Sequence, residues 1–298
     1  MIENQSYKLG ILFVMASAIA WSTAGLFTRL IPLDSWTLLV WRGVFGGLAT
    51  LAYIVVSERG KTLQRFRSIG WPGLLFAVVS TIAMICYITS LTLTTVAHVA
   101  IIYATVPFLA AGLAFAMLGE RPTAGSLFAS LAALLGVATM AGLSHEGTMS
   151  GDILALLMTV AMAILMVIAR LYRSIPVMPA VCVAVFMSSL VSLPFAKHAI
   201  PGGQDLVMLA QFGVMNLAIG VIFFVYGSRH LPAIETALIS SLDAPLAPIW
   251  VWLAFAETPG LATIIGAMIV FAAVVANVLA NRQAASLQNG AAVAQPRD

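Results

Sequence analysis

The chain has 298 residues, of which 61% are hydrophobic and only 8% are charged. A soluble globular domain has about 25% charged residues, so this composition excludes an ordinary soluble protein. The net charge of +3 does not indicate a nucleic-acid partner, because the basic residues lie at the ends of apolar segments and form no stripe or tail.

Ten apolar segments follow one another along the chain, separated by Pro, Gly and charged residues. Each is close to the roughly 20 residues that a membrane-spanning helix needs. The predicted spans are 9–30, 35–56, 71–93, 97–118, 123–142, 152–171, 178–197, 205–228, 233–256 and 260–281. The predicted fold class is therefore an all-α membrane protein with ten transmembrane helices, followed by a disordered tail at 283–298, where small and polar residues dominate.

Two stretches of the chain, 97–142 and 233–280, show the same order of features. In each, a proline interrupts an apolar segment, a Glu-x-Pro tripeptide follows, and a second apolar segment rich in small residues comes next. The matching elements are Thr105-Val106-Pro107 with Glu120-Arg121-Pro122, and Asp243-Ala244-Pro245 with Glu257-Thr258-Pro259. The sequence therefore predicts two copies of a five-helix unit, 1–148 and 149–282. Because five is odd, the second copy enters the membrane from the opposite face, which makes the repeat inverted.

The distribution of Lys and Arg in the short loops predicts the orientation of the chain. With a cytoplasmic N-terminus, eleven basic residues lie on the inside, and only Arg29 and Lys197 lie on the outside. Cytoplasmic loops carry an excess of basic residues, so both termini are predicted to be cytoplasmic.

Two ionisable residues, Arg42 and Asp243, are predicted near the middle of their spans. A charge at that depth costs at least about 2.5 kcal/mol, so each needs a structural or functional reason. The two side chains could form a salt bridge that locks two helices, or Asp243 could take a proton or meet a cationic group of a substrate. Asn216 also lies at mid-depth, where an amide most often bonds to a neighbouring helix. His98 and Glu235 occupy equivalent interfacial positions, where polar side chains more often simply meet headgroups or water, and they are the next candidates for coupling after Asp243.

Prolines inside the spans predict where the helices bend. Pro107, Pro245 and Pro248 each remove a backbone donor, and the freed carbonyl must find a partner or line a cavity. We expect kinks beside a polar lumen, with Thr105 and Asp243 two residues before the first proline of each copy. Two aromatic residues near mid-depth, Trp21 and Tyr103, are candidates for contact with the substrate, although an isolated aromatic residue more often packs in the core or lies in an interfacial belt. The aligned Met158, Met162 and Met166 could adapt to varied ligands or fill an irregular core.

Catalytic and cofactor motifs are not found in the sequence. It has no His-Glu-x-x-His, no Gly-rich loop with Lys for nucleotides, no Gly-x-Ser-x-Gly and no repeated filter loop. Cys86 and Cys182 have no metal spacing and are interpreted as packed free thiols. We therefore predict no enzyme activity, no cofactor and no metal, and energy for uphill movement would come from an ion gradient.

The two Glu-x-Pro tripeptides, the ten spans and the stretch Leu242-Asp243-Ala244-Pro245 resemble the drug/metabolite transporter superfamily, in its EamA-like branch. Ala256 stands where that family usually has Gly before the glutamate. The resemblance implies a ten-helix carrier of the bacterial inner membrane, commonly an exporter of amino acids, metabolites or toxic compounds that runs on proton exchange.

The predicted function is therefore a secondary-active transporter, whose partners are a small-molecule substrate, the lipid bilayer and protons. The predicted substrate or coupling residues are Asp243, Arg42, Thr105, Tyr103, Trp21 and Asn216. A passive facilitator or an importer would use the same helices, and an intramembrane enzyme would need a second catalytic polar residue beside Asp243.

Overall fold

The structure, a computed structural model, describes residues 2–94, 96–119, 122–141, 148–172, 174–197, 200–256 and 260–293. These residues form helices and short connections, with no β-strand among them. The α-helices are α1 (Ile2–Ser22), α2 (Ala24–Leu30), α3 (Ser35–Ser57), α4 (Thr62–Arg67), α5 (Gly70–Leu93), α6 (Val96–Tyr103), α7 (Val106–Leu118), α8 (Ala124–Ala141), α9 (Met149–Leu171), α10 (Val177–Ser192), α11 (Gly203–Gln211), α12 (Gly220–Ser228), α13 (Ala233–Ser240), α14 (Asp243–Phe255) and α15 (Leu261–Val293). A 3₁₀ turn (Leu193–Phe195) follows α10, and a π-helix (Phe212–Ile219) joins α11 to α12.

Nine segments of the described residues are long and apolar enough to cross a membrane. They are Gln5–Leu30, Ser35–Ser57, Gly70–Leu93, His98–Leu118, Met149–Leu171, Val177–Phe195, Gly203–Ser228, Glu235–Phe255 and Leu261–Leu279. The remaining predicted span corresponds to α8, whose apolar part is described over Leu127–Thr139. The all-helical class is thus confirmed, whereas the count of ten stays a prediction.

The C-terminal end of the chain differs from its prediction. Helix α15 continues to Val293, beyond residue 283 where the disordered tail was expected to start. Residues 294–298 lie outside the described part, as do 120–121 and 257–259, which form most of the two Glu-x-Pro tripeptides.

Helix ends follow local chemistry. The Asp34 carboxylate accepts hydrogen bonds from the backbone of Trp36 (3.2 Å) and Thr37 (3.1 Å), which caps the start of α3. At their C-terminal ends, α7 is followed by Gly119 with φ of 69°, and α14 is followed by Ala256 with φ of 55°. Both residues have the left-handed conformation that ends many helices, and only glycine adopts it without a steric cost.

Equivalent helices of the two copies lie side by side and run in opposite directions. Gly43 of α3 faces Ser189 of α10, and Gly47 faces Phe186, so rising numbers in one helix meet falling numbers in the other. In the same way, α13 begins the ninth span and packs against α7, which ends the fourth. These antiparallel pairs are the arrangement that an inverted repeat predicts.

The extensive helix interfaces join one copy to the other. They are α8 with α15, α5 with α9, α3 with α10 and α1 with α12. Helices α1 and α9 are equivalent in the two copies, as are α5 and α12. The contact of α5 with α9 therefore has the contact of α12 with α1 as its counterpart, and the contact pattern has two-fold symmetry. The copies therefore interleave and enclose a space between them.

Within the residues that the structure describes, four spans are interrupted. The fourth divides into α6 and α7, and the ninth into α13 and α14, in each case just before its first proline. Pro107 and Pro245 thus begin new helical segments, where a missing backbone donor costs nothing, instead of kinking a continuous helix. The first span divides at Thr23, and the eighth contains the π-helix. The prolines predicted the first two interruptions, while no proline marks the other two.

Candidate functional site

A cavity of about 1100 Å³ lies among the helices of both copies. Five of the six predicted substrate or coupling residues line it: Trp21, Arg42, Tyr103, Asn216 and Asp243. Thr105 does not, because its hydroxyl donates to the carbonyl of Ile102 (2.6 Å) one turn earlier in its own span. Of the three prolines, only Pro248 contributes to the wall.

Asp243 is placed at the cavity by the interruption of the ninth span. It is the first residue of α14, and the backbone of Ala244 donates to the carbonyl of Ser241 (3.3 Å) across the break. Its Oδ1 atom is buried and has no hydrogen-bond partner among the described residues. The N-terminal end of a helix carries a partial positive charge, which favours a carboxylate at this position. Asp243 therefore keeps a carboxylate oxygen for another partner.

Arg42, in contrast, is held by neutral groups. Its side chain is 7% exposed, and its Nη2 donates to Oδ1 of Asn216 (2.9 Å). The guanidinium carbon lies 4.8 Å from the centroid of the Phe212 ring, in a cation–π contact. The Nε atom is buried with no hydrogen-bond partner in the described part of the chain.

Asn216 explains the orientation of Arg42. Its amide nitrogen donates to the backbone carbonyls of Ala20 (3.1 Å) and Trp21 (3.0 Å), so its oxygen must point at Arg42. These carbonyls precede the interruption at Thr23, whose hydroxyl also donates to Ala20 (2.6 Å). A hydroxyl that bonds back to its own helix bends that helix, as Thr23 does here, and the π-helix that contains Asn216 is a feature that recurs at functional sites. The two hydrogen bonds of Asn216 to the first span are the expected contact with a neighbouring helix.

Arg42 and Asp243 do not pair. No ion pair within 4.0 Å joins them, and Arg42 bonds to Asn216 instead. Tyr87 of α5 lines the same cavity and lies within electrostatic range of both charges. The salt bridge that the sequence left open as a structural role is therefore not formed in this conformation.

The other aromatic and polar candidates fall around this centre. Trp21 packs against Phe224, with ring centroids 5.0 Å apart, and Trp250 of α14 donates to the hydroxyl of Ser22 (2.8 Å). These contacts join the interrupted first span to the eighth and ninth spans. Cys86 and Cys182 are buried free thiols, as predicted.

His98 and Glu235 do not line the cavity, although their chain neighbours Val99 and Thr236 do, and they belong to two polar clusters. In the first, which we call the α6 cluster, the Asp152 carboxylate accepts from the Thr94 hydroxyl (2.8 Å) and pairs with Nδ1 of His98 (3.1 Å). In the second, the α13 cluster, the Tyr7 hydroxyl donates to Oε2 of Glu235 (2.8 Å). The sequence predicted neither of these side-chain partners.

Three further features of the wall had weak signals in the sequence. Met158, Met162 and Met166 all line the cavity, although a methionine stripe more often fills a core. Basic residues predicted at the cytoplasmic ends of spans also line it, namely Arg65, Arg170 and Arg229. The cavity therefore extends towards the loops after α3, α9 and α12, which are cytoplasmic in the predicted orientation. Arg29, near the end of α2, lines it as well.

Comparisons with known proteins agree with this architecture. The model of the EamA-like transporter family matches the chain twice, over residues 8–142 and 149–279. A solved structure described only as "Crystal structure of protein" superposes with a TM-score of 0.79 at 18% sequence identity, covering 92% of this chain and 98% of that one. That likeness concerns the fold alone, and no curated protein matches the chain. Because the family model covers both copies, the chain is a membrane protein that belongs to the EamA-like transporter family.

Proposed function

We propose that the protein is a secondary-active carrier that moves a small solute through the central cavity in exchange for protons, with Asp243 as the coupling group. The observation that carries this proposal is the buried Oδ1 atom of Asp243, which has no hydrogen-bond partner among the described residues although the residue lines the cavity. A carboxylate at membrane depth is costly and needs a partner, which a proton or a solute cation can supply.

The absence of an Arg42–Asp243 ion pair in this conformation favours the coupling role over the structural one. A carboxylate that served only to lock two helices would bond to its counter-ion directly. Here the interruption before α14 places Asp243 on the cavity, and Tyr87 and Tyr103 are its polar neighbours. Discontinuous helices at a repeat interface are the usual setting of transporter binding sites.

The carrier works by alternating access, in which the cavity opens first to one side of the membrane and then to the other. The two-fold pattern of contacts gives two related arrangements of the same helices, one open to each side of the membrane. With both termini in the cytoplasm of a bacterial cell, the cavity wall includes Arg65, Arg170 and Arg229 towards the cytoplasmic side and Arg29 towards the outside. Export is the direction that the family resemblance implies.

Proton coupling can be tested in liposomes that contain the purified protein and an internal pH-sensitive dye. A panel of amines, amino acids and organic acids is added, and each solute that is exchanged for protons changes the dye signal. Asp243→Asn keeps the shape of the side chain and removes its titration, so we expect proton flux to fall to the level of empty liposomes.

The matched control is Thr105→Val, the equivalent position of the first copy, which should leave proton flux near the unsubstituted rate because Thr105 does not line the cavity. Solute flux without proton flux in the unsubstituted protein would identify a facilitator. Unchanged proton flux in folded Asp243→Asn protein would assign coupling to another group, with Glu235 and His98 examined next.

A further inference from the structure

A second, smaller cavity lies at the surface of the helix bundle, where α3, α4 and α10 meet. Its volume is about 320 Å³, and its wall consists of Leu51 of α3, Phe66 of α4 and residues of α10 between Cys182 and Leu190. None of these residues lines the central cavity. Eight residues of a helix extend about 12 Å, which is most of the thickness of one leaflet. We call this space the α3–α10 groove.

The close approach of α3 and α10 shapes the groove. A Cβ on Gly47 would lie 2.8 Å from two carbons of the Phe186 ring, so the ring fits against α3 because residue 47 has no side chain. Leu48 of α3 and Leu190 of α10 are exposed, whereas Phe186 is half-buried between the helices. The groove is therefore open to the bilayer and apolar along its length, which suits a hydrocarbon chain and not a polar ligand.

The end of the groove at α4 is strongly basic. Arg65 is paired with Glu58 through its Nε atom (2.8 Å), and it lines the central cavity. Arg59, Lys61 and Arg67 are exposed and have no ion-pair partner among the described residues. Three positive charges without a negative partner in this part of the chain therefore lie beside the groove.

Helix α4 has the properties of a helix at the level of the lipid headgroups. Leu63, Phe66 and Arg67 stand at positions i, i+3 and i+4, so they share one face. Leu63 is exposed, as is Trp71 at the start of α5, and tryptophan is enriched where a membrane meets water. The charge of Arg67 thus lies on the same face of α4 as the apolar residue that lines the groove.

The charge of α4 decides between two occupants of such a groove. A second copy of this chain, joined at this face about an axis along the membrane normal, would bring both α4 helices to the same depth. The three positive charges of each copy would then repel one another. A lipid with an anionic headgroup would instead neutralise them, as anionic lipids do for basic segments next to a membrane span.

We infer that the α3–α10 groove is a binding site for an anionic phospholipid, with one acyl chain in the groove and the headgroup phosphate at Arg67. The rigid fork of an arginine matches the geometry of a phosphate. Arg59 and Lys61 add positive potential to the same surface, and in the predicted orientation the lipid belongs to the cytoplasmic leaflet. This inference goes beyond the proposed function and does not depend on the solute or on proton coupling.

The test counts bound lipids by native mass spectrometry of the detergent-purified protein. The protein is titrated with phosphatidylglycerol or with phosphatidylcholine that has the same acyl chains. We expect one phosphatidylglycerol to bind saturably and about 5-fold more tightly than phosphatidylcholine, since one basic residue near the membrane surface contributes about that factor for an anionic lipid. This comparison uses the unsubstituted protein and needs no variant.

Two pairs of variants then locate the lipid. Arg67→Gln should weaken phosphatidylglycerol binding about 5-fold and leave phosphatidylcholine binding unchanged, whereas Lys8→Gln removes a cytoplasmic charge of α1 and should change neither. Val183→Trp fills the groove and should abolish saturable binding of both lipids. Its control is Val191→Trp, at an exposed position of α10 outside the groove, which should leave binding intact. Thermal unfolding scans check that each variant is folded.

Three results would overturn the inference. The first is equal binding of the two lipids, and the second is saturable lipid binding that survives Val183→Trp in folded protein. The third is a dimer without bound lipid that Val183→Trp dissociates, which would assign the groove to a second copy of the chain. Proton flux in liposomes is a separate measurement, so the failure of this inference is distinguishable from the failure of the proposed function.

Discussion

The interrupted fourth and ninth spans have the same backbone design and different chemistry. Each breaks two to four residues before a proline, and each resumes as a 13-residue helix that is followed by a left-handed residue. At the break, however, Thr105 bonds to its own helix, whereas Asp243 faces the cavity with an oxygen that has no partner among the described residues. The two copies therefore share the broken helix, and of these two equivalent positions only that of the second copy carries a charged residue, Asp243.

The two polar clusters differ in the same way. The α6 cluster, with Thr94, His98 and Asp152, and the α13 cluster, with Tyr7 and Glu235, stand at the starts of equivalent spans. Because those spans run antiparallel, the clusters lie at opposite ends of the bundle. One contains an acid and a histidine and the other an acid and a phenol, so the positions are related by the repeat while the residues are not.

The largest expected effect comes from locking either cluster. In a protein with Cys86→Ala and Cys182→Ala, cysteines at His98 and Asp152, or at Tyr7 and Glu235, are joined by a short bifunctional thiol reagent. Since each end must open in turn during alternating access, either cross-link should abolish solute flux in liposomes. The four single-cysteine proteins are the controls. Normal flux with complete cross-linking at one end would show that this end does not open.

A second prediction moves the carboxylate between copies. Adding Thr105→Asp to Asp243→Asn should not restore proton flux, because Thr105 lies outside the cavity wall whereas Asp243 lies in it. Asp243→Glu, which keeps a carboxylate in the second copy, should retain part of the flux. Recovery in the Thr105→Asp protein, measured with the internal dye, would mean that the two breaks are interchangeable.

A third prediction compares equivalent glycines near the starts of α1 and α9. A Cβ on Gly151 would lie 2.6 Å from Cβ and 2.8 Å from the backbone nitrogen of Thr94, so Gly151→Ala should destabilise the protein by about 1–3 kcal/mol. A Cβ on Gly10 would lie 2.9 Å from Cβ of His230, 3.0 Å from Cγ of Leu231 and 3.2 Å from the backbone oxygen of Gly227, so each of its contacts is longer than the matching contact at Gly151. Gly10→Ala should cost less than Gly151→Ala, as thermal unfolding midpoints would measure; equal shifts would contradict the difference.

The smallest effect concerns the ends of α7 and α14. Ala256→Gly should stabilise the protein by about 1 kcal/mol, because an alanine at φ of 55° pays a steric cost that glycine avoids. Gly119→Ala should destabilise by a similar amount, since no neighbouring atom lies within 4 Å of its added Cβ and only the backbone cost remains. Unfolding midpoints that move in the same direction for both variants would contradict this account.

The sequence by itself determined the features that depend on local composition. Apolar length gave the spans, and the matching prolines gave the two breaks, because a proline lacks its backbone donor wherever it stands. The rarity of charge inside apolar segments singled out Arg42 and Asp243. The order of features along the chain gave the two copies, which the family match over 8–142 and 149–279 supports.

Only the tertiary structure decided which side chains meet. It gave Arg42 the amide of Asn216 as its partner in place of Asp243, turned Thr105 away from the cavity and joined His98 to Asp152. The break at Thr23 and the π-helix had no proline to announce them. Such contacts depend on the rotation and register of helices far apart in the chain. Close packing at small residues sets that register, and the periodicity of apolar residues along one helix does not determine it.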